Sequence, residues 1–250
     1  MTFSVIIPTL NEEEHIRAAI RSVRAAALEA EIIVVDGGST DETATIVREE
    51  GAAFYLAPRG RGIQLNHGAL HSSGDILLFL HADTIVSPDL FEILKSSFRN
   101  AEVLIGTCTL QFDVAHPLLR FYAACARVKS IFTTFGDQCI VVRKSFLEKV
   151  GGFPAWRLFE DVRLLERARA RTRIHTFPSV VITSSRKFVD HGVIRQQIRN
   201  ALFVLLYVAG VSPHRLAIKY SLKAQRSTGT KSTVSFNHKR REELCEHSIG

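Results

Sequence analysis

The chain reads as an α/β protein built on a mostly parallel sheet with helices on both faces. Three observations predict that class. Strand and helix patterns alternate as β-α-β-α-β-α-β through the first 85 residues. The runs Glu31-Ile-Ile-Val-Val-Asp36 and Asp75-Ile-Leu-Leu-Phe-Leu-His-Ala-Asp83 are almost continuously apolar, as suits strands buried on both faces. Each ends in a carboxylate, at the edge where open α/β sheets bind ligands.

Taken in order, residues 3–8 make the first strand, closed by Pro8. Asn11 to about Ala27 makes a helix, with Asn11 as N-cap and Ile16, Ala19, Ile20 and Val23 at core spacing. After the second strand ends at Asp36, Thr40 or Asp41 caps a helix through Glu49. A short strand, Ala53–Leu56, leads to the basic, glycine-rich loop Pro58-Arg59-Gly60-Arg61-Gly62, a helix over 63–72 and a strand over 75–80. The second half is less regular. It reads as a strand Glu102–Phe112, a helix Pro117–Phe132, a strand Gln138–Val142, helices Lys144–Val150 and Phe159–Arg171, strands Ile174–Phe177 and Val180–Thr183, and a helical segment closing near Tyr220. Eight of the last 30 residues are Ser or Thr and seven are apolar, which predicts a disordered basic tail over 221–250. The organisation expected is one domain over 1–220, with a nucleotide-binding half (1–100) and a smaller acceptor-binding half (101–220).

A net charge of +7 suits anionic partners. No zinc-finger or RNA-binding signature accompanies it, so nucleic acid is not expected. The amino terminus lacks a basic n-region and runs straight into a strand, unlike a signal peptide. Cys108, Cys125, Cys139 and Cys245 show no CxxC spacing and read as buried thiols of a cytosolic protein. The most apolar stretch, Ala201–Val211, is shorter than the roughly 20 residues a bilayer requires. It reads as a core helix or, flanked by Arg195, Arg199 and Arg215, as an interfacial one at the inner face of the cell membrane.

Common catalytic motifs are absent: no Walker A loop, no GxGxxG after the first strands, no GxSxG elbow. His67 and His71 share a helix face without a third ligand nearby, which suits a solvated face better than a metal site. What remains suits a nucleoside diphosphate. Asp36 can accept from a base edge or simply open a turn. Asp83 can hold a hard cation that phosphate oxygens also ligate, or cap a helix. Arg59 and Arg61 can form charge-assisted bonds to phosphate. Downstream, Gly151-Gly-Phe-Pro-Ala-Trp-Arg-Leu-Phe-Glu160-Asp161 runs from a Gly-Gly turn through an aromatic loop to an acidic pair at a helix start.

Ser4-Val-Ile-Ile-Pro-Thr-Leu-Asn-Glu-Glu13, Val34-Val-Asp-Gly-Gly-Ser-Thr-Asp-Glu-Thr43, Leu80-His-Ala-Asp-Thr84 and Gly151-Gly-Phe…Glu160-Asp161 resemble, in order, the motifs of family 2 glycosyltransferases. Phe135-Gly-Asp-Gln138, Ser184-Ser-Arg186 and Leu205–Pro213 resemble a short, single-domain bacterial subgroup. The resemblance implies a GT-A fold with a Rossmann-like sheet and an inverting, hexosyltransferase-like transfer from a UDP- or GDP-sugar, using Mg²⁺ or Mn²⁺. The acceptor it implies is a hydroxyl; the apolar stretch with its basic flanks and the net charge of +7, not the resemblance, add the expectation of a lipid-linked acceptor and a peripheral membrane contact. By the same resemblance Pro8, Leu10, Glu12 and Asp36 line the nucleotide pocket, Asp83 binds the nucleotide through the metal, and Asp161 is the catalytic base; Arg61 joins the nucleotide set from its own place on the glycine-rich loop. Trp156, Glu160 and Asp137 fall to the acceptor and Arg186 to the diphosphate. Two positions depart from the family pattern: His81 stands at the first DxD position, and Gly37 where a second Asp usually follows the second strand. QxxRW is absent, so a single transfer is expected rather than polymer synthesis. The alternatives are a nucleotidyltransferase, which would need a glycine-rich phosphate loop where Thr9-Leu10-Asn11-Glu12 stands, and a non-catalytic nucleotide-sugar-binding regulator, which would be expected to lack Asp83 or Asp161.

Overall fold

The computed structural model describes residues 1–114, 116, 139–185 and 193–219. The chain divides into two compact units, Met1–Ser184 and Ser185–Gly250. The first contains β1 (Phe3–Thr9), α1 (Ile16–Ala26), β2 (Glu31–Asp36), α2 (Thr43–Glu49), β3 (Ala53–Leu56), α3 (Arg61–His71), β4 (Ile76–Phe79), β5 (Thr84–Val86), α4 (Leu90–Phe98), β6 (Ile105–Phe112), β7 (Ile140–Arg143), α5 (Lys144–Val150), α6 (Glu160–Arg169) and β8 (His175–Thr183). The second holds α7 (Val193–Val208) and a helical stretch at 213–219.

The eight strands form one sheet in the order β3-β2-β1-β4-β7-β6-β8-β5. Its first four strands are parallel, as their unbroken apolar runs require. β7 runs antiparallel to both β4 and β6, β8 is parallel to β6, and β5 is antiparallel to β8. The sheet is therefore mixed, with a parallel block β3-β2-β1-β4 from the amino-terminal half and a second parallel pair, β6-β8, beyond the antiparallel β7. Pro8 would interrupt the ladder inside a central strand. It stands beyond Ile6, the last residue of β1 paired with β4, and so is tolerated.

Alternate strand residues feed two separate cores. Val5, Ile7, Val34, Leu78 and Val141 pack with Ile16, Ile20 and Val23 of α1 and Phe91, Leu94 and Phe98 of α4 on one face. Ile6, Val35, Leu77, Phe79 and Ile140 pack with Leu65 of α3, Phe146 and Leu147 of α5 and Leu164, Leu165 and Ala168 of α6 on the other. Burying one such side chain contributes about 1.5–3 kcal/mol, and helices on both faces keep almost every side chain of β1, β2 and β4 out of water.

Several expectations are corrected. Asn11 is not the N-cap of α1. It takes the left-handed backbone (φ 55°), and the helix begins at Ile16. The helix expected from residue 63 begins at Arg61, so the basic loop is partly its first turn. The two strands expected around residue 178 are one strand. A register shift between Cys108 and Thr109 lets β8 bulge where Pro178 cannot donate a hydrogen bond. β5 and α4 lie where no element was expected. The helix placed at Pro117–Phe132 and the tail 221–250 lie outside the described residues.

Candidate functional site

The loops leaving β1 and β2 are stitched together side by side. Asn11 N–H donates to Ser39 Oγ at 2.8 Å, Thr40 N–H to Asn11 Oδ1 at 2.9 Å, Glu12 N–H to Thr43 Oγ1 at 2.9 Å and Glu42 N–H to Glu13 Oε2 at 2.9 Å. The left-handed Asn11 is what turns the first loop toward the second, a conformation Asn tolerates better than most residues. This double loop forms the rim of the carboxyl edge. Pro8, Leu10 and Glu12 lie along it, each half-buried.

Asp36 is 2% exposed at the end of β2. Its Oδ2 accepts from Gly38 N–H at 2.9 Å and Ser39 N–H at 2.7 Å, and its Oδ1 from Thr9 Oγ1 at 3.1 Å and from the Ser39 hydroxyl. Four donors occupy the acceptor capacity of one carboxylate. This geometry fits the turn opener that the sequence offers for Asp36. A base edge would find the loop that Asp36 shapes, with the carboxylate itself engaged.

One helix, α3, ties the site together, and only its first residue was foreseen. Gln64, 3% exposed, donates to the carbonyls of Thr9 and Val35, both at 2.9 Å, and so bridges the ends of β1 and β2. Asn66 faces Phe153 in a two-point clamp: its Nδ2 donates to Phe153 O at 2.8 Å and its Oδ1 accepts from Phe153 N–H at 2.9 Å. A Cβ on Gly62 would lie 2.0 Å from the Pro154 carbonyl oxygen, so only glycine lets the helix start meet the 151–156 loop. Gln64 and Asn66 escape sequence reasoning because their partners are distant in the chain. The available signal was two glycines, Gly62 and Gly68, inside a helical pattern, which mark close backbone approach.

Arg61, at the first position of α3, joins the two motif acids' neighbourhoods. Its Nη2 stands 2.8 Å from His81 Nε2 and its Nε 3.0 Å from Glu160 Oε1. A guanidinium only donates, so His81 Nε2 accepts and the ring proton sits on Nδ1. Glu160, 1% exposed, is thereby paired with Arg61. Phe159 precedes it with φ 65°, a left-handed backbone that is strained for a bulky residue and turns the chain sharply into α6. The next residue, Asp161, is 8% exposed and lines a cleft with Pro8, Arg61, Leu65, Phe79, Leu80, His81, Ile140 and Phe153. Pro8, Arg61 and Asp161 thus meet. Trp156 is half-buried in the adjoining loop, its carbonyl accepting from Gly62 N–H at 3.4 Å. Arg59 is exposed. Asp137 and Arg186 lie outside the described residues.

Asp83 is half-buried just past β4, and its backbone carbonyl accepts from Ser184 N–H at 3.2 Å. Among the described residues no three His, Cys, Asp or Glu side chains gather to hold a metal ion, and His81 Nε2 is turned to Arg61. One carboxylate fits a hard cation whose remaining ligands come from phosphate oxygens, and not one caged by the protein alone. On the outer face of α3, His67 and His71 stack at 4.3 Å with Tyr55 4.5 Å from His71. Burial and then the neighbouring His71 lower the His67 proton affinity.

The model of glycosyl transferase family 2 matches residues 4–148. An uncharacterized glycosyltransferase of Mycobacterium tuberculosis (strain H37Rv) is 30% identical over 170 residues, covering 61% of this chain. The chain spans 62% of the length of that relative. Glucosyl-3-phosphoglycerate synthase from M. tuberculosis, solved with Mn²⁺, UDP and glucosyl-3-phosphoglycerate, superposes with a TM-score of 0.57 at 23% identity over 84% of this chain and 81% of its own. The mannosyltransferase PcManGT from Pyrobaculum calidifontis, solved with GDP-Man and Mn²⁺, gives 0.59 at 19% identity over 99% and 84%. The fold is of the GT-A type these structures share.

Proposed function

The chain belongs to glycosyl transferase family 2, and from that premise we propose a non-processive, inverting transfer of a hexose from a UDP- or GDP-sugar to an acceptor hydroxyl, with a divalent cation. Residues 1–220 would form one domain for this transfer, donor side 1–100 and acceptor side 101–220. The observation that carries it is a small cleft that Asp161, at the start of α6, lines together with Arg61, His81 and Pro8. That cleft brings a candidate base and a candidate anion binder to the edge where α/β sheets hold ligands.

In this reading the acceptor oxygen attacks the anomeric carbon opposite the diphosphate. The new C–O bond forms as the bond to the phosphate oxygen breaks, and the hydroxyl proton passes to the Asp161 carboxylate. A diphosphate departs without protonation, so one carboxylate suffices where glycoside hydrolysis normally uses two. Arg61, held by Glu160 and His81, meets the negative charge growing on the diphosphate, with Arg186 assigned the same task. Asp83 would hold the cation, which when bound supplies Lewis-acid stabilisation of that charge. Pro8, Leu10 and Glu12 line the nucleoside pocket, Asp36 shapes its loop, and Trp156 and Asp137 serve the acceptor side. The neighbours solved with UDP or GDP-Man and Mn²⁺ support the donor class and the metal.

The test is a thermal-shift screen of UDP, GDP, ADP and CDP with and without Mn²⁺, because a ligand that binds only the native state raises the melting temperature. UDP or GDP should stabilise the protein only with the metal. A flat response to all four would sink the donor reading. Proton NMR of the first product then reports the anomer, and retained configuration would overturn inversion.

A further inference from the structure

α7 presents an apolar face to solvent. Ile198, Leu202, Leu205 and Val208 are 64, 49, 58 and 50% exposed. At about 100° per residue they fall within roughly 120° of one helix face. Phe203 and Val204, on the opposite side, are buried. After the turn at Gly210, the helical stretch 213–219 adds Ile218, 62% exposed, beside the exposed Arg215 and Lys219. A concentration of exposed aliphatics on one face is a binding-surface signature, unlike single scattered ones.

Charge is the second observation. From His191 to Arg241 the chain carries ten lysines and arginines and no aspartate or glutamate. The net +7 of the whole chain therefore resides in this segment, and the remainder is net −3. With 16 residues, α7 is too short to span a bilayer, and no described helix is long and apolar enough to cross one.

We propose that α7 and the 213–219 stretch dock onto an anionic phospholipid bilayer. The aliphatic side chains enter the boundary between head groups and acyl chains, while the arginines and lysines pair with lipid phosphates. Charge complementarity selects this occupant. Two copies meeting through this face would bring the exposed Arg215 and Lys219 against their like, in a stretch whose sequence offers no carboxylate to pair with them, which disfavours association. A nucleic acid would use the cations but leave the aliphatic face in water, since bases are gripped by aromatic stacking. The docking is separate from the transfer reading, so Asp161→Asn protein should bind vesicles as the unaltered chain does.

Co-sedimentation of the full chain with phosphatidylcholine vesicles, with and without phosphatidylglycerol, tests the proposal. Binding should be at least about tenfold stronger to the anionic vesicles and should weaken severalfold at high salt. The double substitution Leu202→Glu, Leu205→Glu should abolish it without moving the circular-dichroism melt or the nucleotide thermal shift. Ile218→Glu provides an independent reading outside α7 and should weaken binding several-fold. Vesicle binding unchanged in both variants overturns the proposal. So does a concentration-dependent mass increase without lipid that the same substitutions remove, which would assign the face to a second copy. Capture of single-stranded RNA with no vesicle binding would assign the charge to nucleic acid and overturn it equally.

Discussion

Asp161 and Glu160 are adjacent in the chain but differ in partners. Glu160 is buried against Arg61, whereas Asp161 lines the cleft. General-base catalysis is worth about 10²–10⁴-fold, so Asp161→Asn should lose at least about a hundredfold in turnover with donor affinity unchanged by calorimetry. Glu160→Gln should instead weaken UDP binding, because Arg61 loses the carboxylate that holds it. Near-normal transfer by Asp161→Asn together with an inactive Glu160→Gln would exchange the two roles. Asp36 offers a second discrimination. Asp36→Ala strips the acceptor from two backbone N–H groups, which costs about 1–3 kcal/mol when they stay unpaired, so the urea midpoint should fall. A lost base contact would lower UDP affinity and leave that midpoint in place. The sequence made Asp36 legible through its strand end and Glu160 and Asp161 as an acidic pair at a helix start, with the family resemblance naming Asp161 the base. It could not show that Glu160 pairs with Arg61, because that partner lies 99 residues away in the chain.

At the scale of elements, α3 connects the donor edge to the acceptor loop. Asn66→Ala removes both halves of the clamp on Phe153. The expected outcome is a raised acceptor KM with UDP affinity preserved, measured by steady-state kinetics beside calorimetry. Gly62→Ala should be harsher, since its Cβ meets backbone that cannot swing aside. Overpacking of this kind typically costs about 1–3 kcal/mol, read as a lower melting temperature. The apolar strands β1, β2 and β4 and the helices α5 and α6 were readable to within a few residues, because burial on one or both faces writes a local pattern. Gln64, Asn66 and the left-handed Asn11 were not, because each answers to a partner far along the chain. The merging of two expected strands into β8 was hidden for another reason: Pro178 looks like a break, and only the neighbouring β6 shows that the ladder bulges around it.

Across the whole molecule, several carboxylates tie stability to pH. Burial pushes Glu31, Asp41 and Glu50 upward, yet hydrogen bonds from Ser4, Thr43 and Arg21 respectively, with further donors, carry each below its ordinary value. A depressed folded value means that the unfolded chain binds more protons in acid. The contribution is therefore complete above the ordinary values of 3.8 and 4.5 and is lost as pH falls through the lower folded ones. His67, also lowered, adds a smaller loss below 6.5. Melting temperature should thus decline gently below 6.5 and steeply below about 4.5. Asp41→Asn should soften the steep limb. Metal should follow a different rule: with one carboxylate at Asp83, Mn²⁺ titrated alone should give little heat, and with UDP present a clear isotherm. Equal Mn²⁺ binding with and without UDP would mean a protein-held cage. The strand order has a consequence for how such a chain is made. β5 has β8 as its sheet partner, and Thr84 meets Thr183 across 99 residues. β8 also closes one side of β6. On the ribosome, both edges stay open until the chain has passed Thr183, long after the β1–β4 ladder can close. Non-local pairings of this kind fold slowly and expose edges that recruit other chains. Products truncated before residue 175 should therefore aggregate while retaining the amino-terminal half of the sheet, and the cell's burden of misfolding falls on the arrival of β8.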